Sequence, residues 1–279
     1  MVKLICLDVD GTLVGSKGVP SSAVWSAADR ARRRGQRLTL CTARLAAGPT
    51  REWAERLDPS GWHVFHTGAA LWQPSTGEVD LTPLPADSLA AAMSIAAARG
   101  WVLEAYTWDD YAVDDDRPLA RSHANLLDLP FRRRPISSLD GDVVRAQFVV
   151  PLDAADDAVA SAPEGTVGSA ATSPAMPGAA FVSLTRHDVS KASGVSKVAA
   201  HVGVDLADSM MVGDGHNDIP PSKPWAGASP WETPLRPCST RPESWPVTSI
   251  PMAPPTSSTV PPTSAEHPPG QGPLLTSLA

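Results

Sequence analysis

Two aspartates two positions apart, Asp8 and Asp10, follow the apolar run Leu4 to Leu7 in "KLICLDVDGTLV". One carboxylate can attack phosphorus while the other protonates a leaving oxygen and then activates water. Alone, an Asp-x-Asp-Gly stretch is an acidic turn. Two further aspartates, Asp214 and Asp218 in "MVGDGHNDI", also follow an apolar run and would add hard oxygen ligands. With Asp8 and the Asp10 carbonyl they could form the partial octahedron that Mg²⁺ prefers. A carboxylate attacking a phosphate dianion meets like-charge repulsion, which a metal and a nearby cation reduce. Lys191 is the candidate cation. Lys197, six residues along the same expected helix, should face elsewhere as a solvated lysine. Thr42 offers a hydroxyl to a phosphate oxygen.

These residues need elements to hold them. Leu4 to Leu7 reads as a buried strand with Gly11 at the turn after it. "SSAVWSAADRARRRG" reads as an amphipathic helix, capped by Ser21 or Ser22 and ended by Gly35. "QRLTLCTAR" is a second strand that delivers Thr42 to its C-terminal end, and "WHVFHTGAAL" suggests a third. The β-α-β order implies an α/β fold on a parallel, Rossmann-like sheet, where ligands bind at the C-terminal strand ends. From 83 to 180 an Ala-rich helix and alternating strands predict an inserted α+β module. Residues 181 to 220 return to the first domain with a helix from Lys191 and a strand ending at Val212.

Four of these stretches, "DVDGTL", "CTAR", "DVSKASGV" and "VGDGHNDI", resemble in order the four motifs of the haloacid dehalogenase-like (HAD) phosphatase superfamily. The module between the second and third motifs is similar to the type IIB cap of its Cof-like hydrolases. The resemblance covers residues 1 to 219. It implies Asp8 as nucleophile forming an aspartyl-phosphate, Asp10 as acid and base, Thr42 and Lys191 as phosphate clamps, and Mg²⁺ as cofactor. Asp8, Asp10, Asp214 and Asp218 are the expected metal ligands; Thr12, Arg44 and Asn217 are expected to face substrate, and Arg186 is a further candidate. An acid at position 10 separates the chain from the transport ATPases and dehalogenases of the superfamily. A phosphatase acting on a small phosphorylated metabolite, such as a sugar phosphate, is therefore expected. A phosphomutase, or a remnant that has lost catalysis with its C-terminal core, is the alternative. Ala43 and Ala192 replace glycines usual in the second and third motifs, and Thr67 stands where an Asn-Gly-Ala asparagine is usual.

Composition bounds the partners. The net charge of −7 lacks the clustered basic face that nucleic acid requires, and Arg132, Arg133 and Arg134 read as a solvated strand end. Asp109, Asp110 and Asp114 to Asp116 read as a solvated acidic loop. Three cysteines, Cys6, Cys41 and Cys238, have no metal or disulfide spacing, and no apolar run reaches membrane-spanning length. A cytoplasmic location is the expectation.

After Pro220 the chain changes character. More than half of the 29 prolines lie at or beyond it, and no Asp or Asn follows Asp218. Family members continue here with something like "ALEAVGWGVAMGNA". Back-translating Ser222 to Pro234 and regrouping the bases from the last base of Pro221 permits L-E-A-V-G-W-G-V-A-M-G-N-A. The Trp225–Ala226 and Trp231–Glu232 codon pairs force the glycine triplets GGC and GGA. Residues 221 to 279 are therefore read as an out-of-frame tail, expected to be irregular and to add no strand beside Val212.

Overall fold

The computed structural model describes residues 1–15, 18–213 and 228–229. The chain divides into two units, Met1–Val247 and Thr248–Ala279, and the second lies outside the described residues.

The first unit opens with β1 (Leu4–Leu7), α1 (Ser22–Arg33), β2 (Arg37–Leu40), α2 (Gly48–Leu57), β3 (His63–Phe65), β4 (Ala70–Trp72) and β5 (Val79–Leu81). The inserted module follows: α3 (Ala86–Arg99), β6 (Val102–Tyr106), β7 (Tyr111–Val113), α4 (Pro118–Leu126), β8 (Arg145–Pro151), α5 (Ala155–Ala160), β9 (Thr166–Thr172) and β10 (Ala179–Arg186). The chain then returns as α6 (Lys191–His201), β11 (Ser209–Val212) and β12 (Ala228–Ser229).

β1 lies between β11 and β2, and both pairings are parallel, with Leu7 opposite Val212 and Leu40. Strand alternation sorts the apolar side chains to two faces. Ile5, Leu38 and Leu40 pack with Trp25, Ala28, Trp53 and Leu57 of α1 and α2. Leu4, Cys6 and Met211 face the other way, onto Val195, Val198 and Ala199 of α6. Helices on both faces keep the three strands in register, so their C-terminal ends, where Asp8, Cys41 and Gly213 follow, stand side by side.

Two expectations need correction. The "WHVFHTGAAL" stretch does not extend the parallel sheet as a regular strand. Its backbone pairs with the chain after β2 through an isolated parallel bridge between Cys41 and Val64, and β3, β4 and β5 form an antiparallel meander of their own. The chain reverses because His66, Thr67 and Gly68 all take positive φ, at 49, 58 and 107°. Secondly, where the sequence predicts no strand in the tail, Ala228–Ser229 pairs parallel with Met211 and Val212. Without a neighbour β11 would expose an unpaired row of backbone groups, and backbone pairing asks for no particular side chain. The rest of the segment from 221 onward lies outside the described residues.

The inserted module is a five-stranded sheet in the order β7-β6-β8-β10-β9, with antiparallel neighbours. The boundary drawn at residue 180 cuts β10, which stays in this sheet to Arg186. Ala92 and Ala96 of α3 and Ala158 of α5 cover one face. On the other, Ala120 and Ala124 of α4 pack with Val102, Tyr106 and Phe181, and Leu45 of the first domain is buried among them. Arg133 and Arg134 pair with Asp114 and Asp110, and Arg117 with Asp115, so the acidic loop is largely neutralised by arginines. No helix of the described residues is long and apolar enough to cross a membrane.

Candidate active site

Asp8 is fixed by its backbone before its side chain is considered. Its N–H donates to Val212 O (2.9 Å), continuing the β1–β11 ladder, and its carbonyl accepts from Leu13 N (3.1 Å). Val9 O takes Thr12 N and Val14 N, and Gly11 turns the loop at φ 77°. The loop therefore folds back on itself and releases the strand alternation, as expected, so that Asp8 is buried and Asp10 is open to solvent.

Lys191 Nζ donates to Asp8 Oδ1 at 2.7 Å, and both side chains are almost wholly buried. Lys191 is the first residue of α6, where a cation opposes the helix dipole. The opposing term is met by the Asp8 carboxylate and by a capping box in which Ser190 Oγ accepts Ser193 N while Ser193 Oγ accepts Ser190 N. Two glycines that the sequence reading did not single out bring α6 close enough. A Cβ on Gly68 would lie 2.2 Å from Ser190 O, and one on Gly194 would lie 2.7 Å from Val64 Cγ1 and 2.8 Å from Gly68 Cα. The available signal was their spacing around Lys191 and after Thr67, which a helix-on-turn contact would have explained.

Lys197 faces away as expected but is not merely solvated. It donates to Asp80 Oδ1 and Thr82 Oγ1, each at 2.9 Å, tying α6 to the β5 end of the meander.

The second motif is equally constrained. Thr42 is buried, its N–H donates to Val64 O (2.9 Å), and its Oγ1 accepts Arg44 N at 3.1 Å. With that lone pair used, the hydroxyl retains its proton for an acceptor in the site. Arg44 makes a bidentate pair with Asp10, Nε to Oδ2 at 3.1 Å and Nη2 to Oδ1 at 2.5 Å. The arginine expected to face substrate thus holds the expected acid and base. Thr12 Oγ1 is buried and has no hydrogen-bond partner among the described residues, as a hydroxyl awaiting a ligand oxygen would be. Arg186 is not part of the group: it pairs with Asp188 at 2.6 and 2.7 Å.

Of the expected Mg²⁺ ligands, Asp8 and Asp10 are described, whereas Asp214, Asp218 and the expected substrate contact Asn217 lie outside the described residues. Among the described residues no three His, Cys, Asp or Glu side chains converge. The donors that are described are hard oxygens at the mouth of a parallel sheet, which fits Mg²⁺. Gly213, the last described residue before Asp214, directly follows the residue that accepts the Asp8 N–H.

A family profile described as haloacid dehalogenase-like hydrolase matches residues 5–220, ending where the composition changes. A Bacillus subtilis protein with the name "Putative phosphatase YxeH" is 23% identical over 234 residues, covering 81% of this chain and 86% of that one. A similar fold occurs in a haloacid dehalogenase-like hydrolase from Bacteroides thetaiotaomicron, with TM-score 0.66 and 22% identity over 78% of this chain and 84% of the other. It occurs again in the subclass IIB sugar phosphatase BT4131, with TM-score 0.64 and 18% identity over 78% and 82%.

Proposed function

Because this chain belongs to the haloacid dehalogenase-like hydrolases, we propose that it is a phosphatase that hydrolyses a small phosphate ester through a covalent intermediate on Asp8. The observation that carries this reading is the buried Lys191–Asp8 pair, with Asp10 two residues on at the open side. An Asp8 carboxylate oxygen attacks phosphorus, and the bond to the ester oxygen breaks as Asp10 gives that oxygen a proton. Asp10, now a carboxylate, takes a proton from a water that attacks the aspartyl-phosphate; inorganic phosphate leaves and Asp8 is regenerated. Lys191 and the Thr42 hydroxyl hold the phosphoryl oxygens, and Thr12 Oγ1 is a third contact. Mg²⁺, held by Asp8, the Asp10 carbonyl, Asp214 and Asp218, would offset the charge repulsion between carboxylate and phosphate.

A sugar phosphate is the substrate class we favour, in line with the named activity of one protein of the same fold. The described core residues named here would meet the phosphoryl group, so the cap would select the remainder. The test is Asp8→Asn in the full chain with a generic aryl phosphate. Loss of at least about 10³-fold in kcat is expected; wild-type hydrolysis by this variant would overturn the mechanism.

A further inference from the structure

Thr42, Ala43 and Arg44 form one loop, and each of their three consecutive carbonyls has its own donor. Thr67 N–H donates to Thr42 O (2.9 Å) and His66 N–H donates to Arg44 O (3.0 Å), both from the turn after β3. The middle carbonyl, Ala43 O, accepts instead from Arg145 Nη1 at 2.7 Å. Arg145 begins β8 in the cap sheet, 102 residues away in sequence. The continuation of the loop also enters the cap. Leu45 is buried with Val102, Tyr106 and Tyr111, and Ala46 N–H donates to Trp108 O (3.0 Å). The same Trp108 carbonyl accepts from His66 Nε2 at 3.1 Å.

Arg145 is a strange residue to place there if its task were only to fill space. It is 5% exposed, and among the described residues no carboxylate forms an ion pair with it. Its guanidinium lies 4.0 Å from the Tyr106 ring centroid, and the Tyr106 hydroxyl donates to Glu104, which also takes His123 Nδ1 at 2.9 Å. Its Nε–H has no acceptor among the described residues. Burial pulls the guanidinium pKa down, against the opposing influence of Tyr106 and Glu104. An apolar side chain would avoid this penalty. What an apolar side chain cannot supply is a donor aimed at the Ala43 carbonyl.

We infer that Arg145 is a positioning residue through which the cap sets the catalytic loop, holding the Thr42 hydroxyl and the Arg44 guanidinium at their angles to Asp8 and Asp10. The kinetic half of this inference rests on the phosphatase reading; the mechanical half does not. The cap then acts as a fixed wall bonded to the second motif, and any shift of β8 is passed to the residues that meet the phosphoryl group.

Two measurements on the full chain with Arg145→Met and Arg145→Lys decide it. Amide hydrogen exchange is the first and needs no activity. Arg145→Met should raise exchange across residues 42–47 about tenfold or more while α3 and α5 keep their protection. Kinetics with an aryl phosphate is the second. Arg145→Met should lower kcat about 10- to 100-fold with a smaller change in KM, because small misplacements act on the reacting geometry. Arg145→Lys should recover part of that loss. In a Thr42→Ala background the same change should cost less than about twofold, as expected of residues acting through one another. Unchanged exchange at 42–47, a uniform rise across all elements, or equal fold losses in both backgrounds would overturn the inference. Should Arg145→Met fail to fold, Arg145→Lys carries both measurements with smaller effects. A wild-type chain that hydrolyses no phosphate ester would refute the phosphatase reading, while the exchange result would still decide the link between Arg145 and the loop.

Discussion

Lys191 Nζ lies 2.7 Å from Asp8 Oδ1, and the two residues are 183 positions apart in the sequence. The pair forms where the N-terminus of α6 meets the C-terminal end of β1, and both partners are nearly excluded from water. Lys191→Met should therefore have two separable effects. It removes the cation from the phosphoryl site, lowering kcat/KM about 10²- to 10³-fold. It also takes a buried partner from Asp8, which costs about 3 kcal/mol of stability. Adding Asp8→Asn should restore part of the stability and none of the activity. Denaturant melts and aryl phosphate assays on the two variants check both.

The approach of α6 to the turn at His66–Gly68 depends on the absence of two side chains. Gly68→Ala should lower stability by about 3 kcal/mol, since it combines a disfavoured φ with a clash against the Ser190 carbonyl, and activity should fall because Lys191 follows Ser190. Gly194→Ala should cost about 2 kcal/mol. Gly203, at φ 65° with open space where a Cβ would be, is the control: its alanine variant should lose about 1 kcal/mol and keep its kcat. Equal activity losses at all three positions would contradict the argument.

Thr67 holds φ 58° and ψ 23°, a conformation that a β-branched residue adopts at a penalty and asparagine adopts readily. Thr67→Asn should raise stability by about 1 kcal/mol while its N–H still donates to Thr42 O, so kcat should change little. A lower midpoint in denaturant would count against strain at this turn.

His63 predicts acid sensitivity. It is buried and neutral, accepting Leu40 N–H on Nδ1 (3.1 Å) and donating from Nε2 to Asp58 O (2.9 Å), and burial lowers its pKa from 6.5 to about 4. Between those values the unfolded chain binds the proton that the folded chain refuses. Stability thus rises with pH across this window and is lost as pH falls from 6.5 towards 4, by about 3 kcal/mol in all. His66 is displaced in the same direction, with burial the larger cause and Arg145 adding to it. His63→Gln should flatten the dependence of melting temperature on pH between 6.5 and 4, whatever it does to the absolute value.

The tail from 221 to 279 yields a prediction about the gene. An independent nucleotide sequence should hold one more base near the Pro220 codon and read on as the family's core strand. An unchanged reading frame would sink this. A well-ordered strand beside Val212 would count against the out-of-frame reading; the Ala228–Ser229 pairing spans two residues, and the nucleotide sequence decides.

Much of the first domain is written locally. Alternation along Leu4–Leu7 assigns Leu4 and Cys6 to one face and Ile5 to the other, Ser21 caps α1, and Asp8 and Asp10 leave a strand whose end the sequence marks with Gly11. Strand and helix periods depend on neighbours within a few residues, so a linear reading recovers them. The sequence by itself thus determined the α/β layers, the candidate acid pair and the lysine that faces Asp8. Only the tertiary structure decided that Arg44 holds Asp10, that Gly68 and Gly194 admit α6 to the turn, that β3 reverses into a meander, and that Arg145 secures Ala43 from the cap. Those relationships join residues brought together by chain crossings, and the side chains involved carry no periodic signal: a glycine records a close approach, and an arginine a carbonyl within reach, only when the partner's position is known.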